Sequence, residues 1–192
     1  MTSKEFLSAV AIALTFYAFF PYIRSIQQGK TRPHVFSWVI WGSTTFVVFL
    51  AQLADQGGAG AWPIGVSGVI TVYVALLAYL KKSDITITRS DWLFFIAAML
   101  SLPLWYFTDD PLSAVIILTT VDVFGFVPTF RKAYAFPFEE KLTFFVLMAL
   151  RNFIVVLALE NYSYTTVLFP AVIALACLGF IAMVLYRRRF VL

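Results

Sequence analysis

The sequence predicts an all-α integral membrane protein, and three observations predict it. Of 192 residues, 61% are hydrophobic and 12% charged, with a mean hydropathy of +0.89, far from the balance of a water-soluble domain. The apolar residues gather into seven runs of about 18 to 25 residues, the length a bilayer demands of a helix. No run alternates apolar with polar as a barrel strand does. In hydrocarbon the backbone must satisfy its own hydrogen bonds, and continuous apolar segments of this length do so as helices.

The first run, residues 5–27, carries Pro21 and Arg24 near its end and is followed by Lys30 and Arg32. It is longer than the apolar stretch of a signal peptide and no A-x-A site follows, so it is expected to remain as a helix. The second, 33–53, holds His34, Trp38, Trp41 and Thr45 at i, i+4, i+7 and i+11, all on one face. The third, 60–80, has Pro63 near one end and Lys81-Lys82 at the other. The fourth, 91–107, has Trp92 and Trp105 near its two ends, where indoles suit the membrane interface. Asp122 lies halfway along the fifth, 111–135, with Pro128 near its end; Arg151 and Asn152 lie midway along the sixth, 138–160. The seventh, 163–186, contains Pro170 and the lone Cys177 and ends in Arg187, Arg188 and Arg189. Connections of a few residues leave no soluble domain on either side.

Charge sets the orientation. Arg24, Lys30, Arg32, Lys81, Lys82, Arg89, Arg131, Lys132, Lys141, Arg187, Arg188 and Arg189, twelve of fourteen basic residues, border one side. The other side carries Glu5, Asp55, Asp109, Asp110 and Glu160, with Lys4 as its base. The positive-inside rule then puts the N-terminus outside and the C-terminus in the cytoplasm of a multi-pass protein in a plasma or bacterial inner membrane. The basic residues sit beside spans, so the formal charge of +4 is no sign of nucleic-acid binding.

The chain also repeats itself. Phe19, Pro21, Arg24, Ala51, Pro63 and Tyr79 recur as Phe126, Pro128, Arg131, Ala158, Pro170 and Tyr186, each 107 residues later, and Lys81-Lys82 falls over Arg188-Arg189. Spans one to three thus map onto spans five to seven in the same direction through the membrane, and span four is left over. The organisation expected is a first triple-helix bundle over 1–83, a linker span over 84–108 and a second bundle over 109–192, related by an axis along the membrane normal.

Seven helices in a three-one-three plan, N-terminus out, with Pro21 and Pro128 near the cytoplasmic ends of the leading helices, resemble the PQ-loop superfamily. That superfamily includes the SWEET sugar facilitators, PnuC-type vitamin transporters, lysosomal amino-acid exporters and the KDEL receptor. Tyr22 and Thr129 follow the prolines where the name-giving pattern has Gln. Neither span three nor span seven carries the Asn of SWEET-type sugar sites away from its outer end. The resemblance implies a transporter or facilitator of a small polar solute working by alternating access, without cofactor or metal, with solute held at the midplane between the bundles. The alternative on the same fold is a non-transporting receptor, sensor or adaptor that engages a partner through short loops and the Arg187–Arg189 tail. The fold is compatible with a homo-oligomer.

Candidate site residues follow from differences between the two copies. Thr15 corresponds to Asp122, and Thr44-Thr45 to Arg151-Asn152. A charge at a helix centre costs about 2.5–3.5 kcal/mol on insertion scales, so Asp122 and Arg151 are expected to avoid lipid. Two readings stand: they line a solute pathway, with Arg151 clamping an anionic group, or they form an ion pair locking spans five and six. Asn152 points about 100° from Arg151 on a helix and need not serve the same ligand. Trp38, Trp41 and Thr45 offer an aromatic wall with a polar end, suited to a planar or sugar-like solute or, equally, to helix packing. Pro21, Pro63, Pro128 and Pro170 are candidate hinges, and Gly42, Gly65, Gly68, Gly125 and Gly179 candidate points of close helix approach. No H-E-x-x-H, phosphate loop, G-x-S-x-G or Cys/His cluster is present, so no enzyme is expected. No lysine inside the seventh span could carry retinal.

Overall fold

The computed structural model describes residues 1–30, 35–81, 89–135, 137–138 and 142–190. His34 and Lys141 lie outside the described residues. The described chain is helical throughout: α1 Ser3–Gln27, α2 Val35–Ala54, a 3-10 turn Gly58–Ala61 that runs into α3 Trp62–Leu80, α4 Arg89–Thr108, α5 Pro111–Ala135, α6 Leu142–Ala158 and α7 Tyr164–Arg188. Ser3–Gln27, Gly58–Leu80 and Tyr164–Arg188 are each long and apolar enough to cross a membrane. Shorter apolar stretches run over Trp38–Ala54, Phe95–Thr108, Pro111–Phe126 and Leu142–Ala158.

Local chemistry sets the helix ends. Thr2 and Glu5 form a reciprocal capping box at the start of α1, as Ser163 and Thr166 do for α7, each satisfying two orphan N–H groups. The expected sixth span reaches 160, but α6 stops at Ala158. There Glu160 leaves the helix, and its carboxylate accepts from the Ala59 N–H at 3.1 Å while its own N–H donates to the Gly57 carbonyl at 3.2 Å. Gly58 between them has φ +59°, and a Cβ there would sit on the Glu160 carboxyl, so only glycine fits.

The helices associate in a regular order. α3 packs on both α1 and α2, and α7 packs on both α5 and α6. The groups then meet through α1 against α6 and α2 against α5, and α4 lies on α5 and α2. One buried core crosses the whole assembly, from Ala11, Val48 and Ile64 to Leu118, Val155, Phe169 and Ile173. The outward faces are apolar too: Phe16, Val69, Leu76, Leu175 and Leu178 are all exposed. A water-soluble monomer rarely exposes so many large apolar side chains, which is consistent with a helical membrane protein.

Gly42, Gly65 and Gly68 lie where α2 and α3 touch, against Val72, Phe49 and Phe46, as expected of small residues at a close crossing. A Cβ on Gly179 would meet nothing within 4 Å, so it plays no such part.

Candidate functional site

The buried polar side chains include Thr15, Thr44, Thr45, Gln52, Asp122, Arg151 and Asn152, and several of them bond between the two groups of three helices. Arg151 in α6, 2% exposed, reaches α1 and the start of α3. Its Nε donates to Thr15 Oγ1 at 3.2 Å, its Nη1 to Asn152 Oδ1 at 2.9 Å, and its Nη2 to the Pro63 carbonyl. Thr15 passes the bond on, donating to the Ala11 carbonyl at 2.8 Å. Asn152 is held in turn by the Met148 carbonyl at 2.8 Å. The Arg151 guanidinium meets the Asn152 amide oxygen, so the two neighbours form one cluster despite their divergent Cβ directions.

Asp122 in α5, 6% exposed, faces α2. The Thr44 hydroxyl donates to Asp122 Oδ1 at 2.8 Å and lies 3.0 Å from the Trp41 carbonyl. A hydroxyl has one proton, so it serves one of these acceptors at a time.

Arg151 and Asp122 therefore do not pair; among the described residues the ion pair present is Met1 with Glu5, at 4.0 Å. The reading of a lock between spans five and six is corrected by the packing order. α7 lies against both α5 and α6, which are sequence neighbours but not principal packing partners. The contacts formed instead follow the 107-residue offset. Advancing Thr15 by 107 gives Asp122, and advancing Thr44 by 107 gives Arg151, so Thr15–Arg151 and Asp122–Thr44 join the same two offset-related positions with the partners exchanged.

The aromatic wall of α2 is filled by its neighbours. Tyr22 stacks on Trp38 with centroids 5.0 Å apart and planes at 25°, while Phe19 and Trp41 meet Trp38 edge-on at 6.3 and 5.7 Å. Phe144 of α6 closes the group on Phe19 at 5.9 Å. Trp41 lies over α5, where a Cβ on Gly125 would clash with its Nε1. Thr45 is buried beside Thr44. These rings thus gather at the basic end of the interface, with one face of Trp38 covered by Tyr22.

The prolines separate into different roles. Pro21 and Pro170 lie inside α1 and α7, whereas Pro63 occupies the first turn of α3, where proline fits without a kink. Pro63 supplies Arg151 with a carbonyl instead. Pro128 falls in the range of α5, with its side chain outside the described residues. Pro170 leaves the Thr166 carbonyl without its helical donor, and Gln52 Nε2 fills the place at 2.7 Å.

Gln52, Thr15 and Thr44 carry these contacts, and the sequence alone does not mark them as site residues. The usable signal is a Gln in an apolar span near an expected proline break. The acidic end is closed as well: Ser163 Oγ donates to Asp55 Oδ2, Asn161 Nδ2 donates to the Asp55 carbonyl at 2.9 Å, and Lys4 Nζ donates to the Leu157 carbonyl at 2.7 Å. Two surface grooves, about 430 Å³ beside α5 and α7 and about 560 Å³ beside α1 and the 3-10 turn, are lined by none of the candidate residues.

Comparison of the chain with protein-family models, with curated proteins and with solved structures finds no match.

Proposed function

We propose that this chain is a seven-span transporter or facilitator of a small polar solute, built from two parallel triple-helix bundles joined by α4. The N-terminus lies outside and the Lys/Arg-rich end in the cytoplasm. The observation that carries the reading is the exchanged pair of contacts, Thr15–Arg151 and Asp122–Thr44. A two-fold arrangement with its polar groups concentrated between the copies is how parallel-repeat transporters hold solute. The helix ends support it: 107 residues beyond α1 is 110–134, beside α5 at Pro111–Ala135, and 107 beyond the turn and α3 is 165–187, beside α7 at Tyr164–Arg188.

The same interface is closed at both ends, by the Asp55–Ser163 contacts on the outer side and the aromatic plug around Trp38 on the inner side. Alternating access opens one while the other holds. Thr15 and Thr44 occupy the polar groups that solute would take over. The alternative on this fold is a receptor, sensor or adaptor; in its proposed tail the Arg187 Nε donates to the Tyr134 carbonyl at 3.1 Å and the Arg188 Nε to the Pro137 carbonyl at 3.0 Å.

The test is solute flux into liposomes containing the purified protein, beside Arg151→Gln and Asp122→Asn variants shown to be folded. Flux of a solute by wild type, lost in either variant, is the expected result. Undiminished flux in both variants would remove the polar cluster from the pathway.

A further inference from the structure

The buried cluster contains one cation and one carboxylate, and neither neutralises the other. A guanidinium has five N–H donors. Three of those on Arg151 are engaged, one on each nitrogen, by a hydroxyl, an amide oxygen and a peptide carbonyl. Among the described residues one N–H on each terminal nitrogen is left over, and none of the three acceptors carries charge. Among the same residues Asp122 accepts from the Thr44 hydroxyl, although a carboxylate offers about four lone-pair sites. A buried charge is expensive unless an opposite charge meets it, and at membrane depth such residues mark a pathway.

Net charge decides what can complete the site. Arg151 and Asp122 sum to zero. An anion on Arg151 alone leaves Asp122 uncompensated and the closed interface at −1. A cation on Asp122 alone leaves Arg151 uncompensated and the interface at +1. A solute bearing both groups meets both residues and keeps the interface neutral while it is sealed from water. We propose that the solute is a zwitterion, with its carboxylate or phosphate on Arg151 in place of the Thr15 contact and its protonated amine on Asp122 in place of the Thr44 contact. This rests on the transporter reading above and adds the solute's chemical class.

The experiment uses the full-length protein in detergent and in liposomes. Probes are ω-amino acids of two to six carbons, α-amino acids and 2-aminoethyl phosphate, each with the matched acid and the matched amine. Thermal stabilisation and flux are read together. At least one zwitterion is expected to stabilise and cross, while its matched acid and amine do neither. Arg151→Gln and Asp122→Asn are expected to lose on the order of 100-fold in affinity. If the neutral variants do not fold, Asp122→Glu keeps the charge and extends it by one methylene, shifting preference along the ω-amino acids toward a shorter member.

Equal response to the acid or the amine alone overturns the zwitterion while leaving a transporter in place. An unchanged length preference in Asp122→Glu overturns the assignment of the amine to that residue. No response from the folded wild type to any probe overturns the zwitterion as well, and flux of an uncharged solute in a parallel panel then decides whether the transporter reading survives.

Discussion

Replacing Gln52 with Leu and Pro170 with Ala, singly and together, isolates one hydrogen bond between α2 and α7. Pro170 has no N–H, so the Thr166 carbonyl takes its bond from Gln52 Nε2 at 2.7 Å. Gln52→Leu leaves that carbonyl buried without the amide donor, which costs about 1–3 kcal/mol. It also deletes Gln52 Oε1, itself buried without a partner, and so recovers a comparable amount. The single variant therefore has a small net effect. The cycle separates the two contributions. Loss of Oε1 occurs in both backgrounds and cancels, whereas Pro170→Ala gives Thr166 a backbone donor and makes the amide redundant. Gln52→Leu should be better tolerated beside Pro170→Ala than alone, by about 0.6–1.7 kcal/mol, the range found for interhelical hydrogen bonds in membranes. The assay is reversible unfolding of all four proteins in mixed micelles titrated with a denaturing detergent, followed by tryptophan fluorescence. A coupling inside the ~0.3–0.5 kcal/mol scatter of independent sites, or one of opposite sign, refutes the role given to Gln52.

Three further outcomes are expected. Gly125→Val drives a branched side chain into the Trp41 indole and should destabilise by about 1–3 kcal/mol, with a change in near-ultraviolet circular dichroism; an unaltered spectrum would contradict the contact. Gly58→Ala forces a side chain to φ +59° against the Glu160 carboxyl, costing about 1–3 kcal/mol for backbone strain alone, and Glu160→Ala should recover only the steric part in thermal unfolding. Trp38→Ala removes a half-buried ring stacked by Tyr22 and should lower stability by roughly 2–3 kcal/mol, less than the ~3–5 of a fully buried aromatic. Loss of solute binding at unchanged stability would show Trp38 to be a ligand contact instead. A fourth test concerns the outer closure: a short thiol cross-linker between Asp55→Cys and Ser163→Cys, in a Cys177→Ala background, should stop flux until it is cleaved, and undisturbed flux would mean that this end does not open.

The helices are legible in the sequence because hydrophobic length states them directly, and the all-helical class follows without further input. The ends are less so. Hydropathy carries the sixth span on to Glu160 because nothing local shows that its carboxyl caps a loop about a hundred residues earlier. The 107-residue offset sets Thr15 over Asp122 and Thr44 over Arg151, but does not show that Thr15 meets Arg151 and Thr44 meets Asp122. Sequence adjacency suggests that α5 and α6 touch, and only the packing shows α7 against both. Helical spacing puts Trp38 and Trp41 on one face and is silent on Tyr22 and Phe144, which fill that face from two other helices. Periodicity reports which side of a helix is apolar, not what covers it.

The position of α3 against both α1 and α2, and of α7 against both α5 and α6, bears on biogenesis. During synthesis the first two helices of each set leave the ribosome before the helix that joins them exists. Until then the first two helices of a set lack the helix that packs on both. For the first set that helix is Trp62–Leu80; for the second it is Tyr164–Arg188. Arg151 emerges before α7, so its burial is completed late. A chain stalled before Tyr164 would leave the helix that carries Arg151 short of its α7 neighbour.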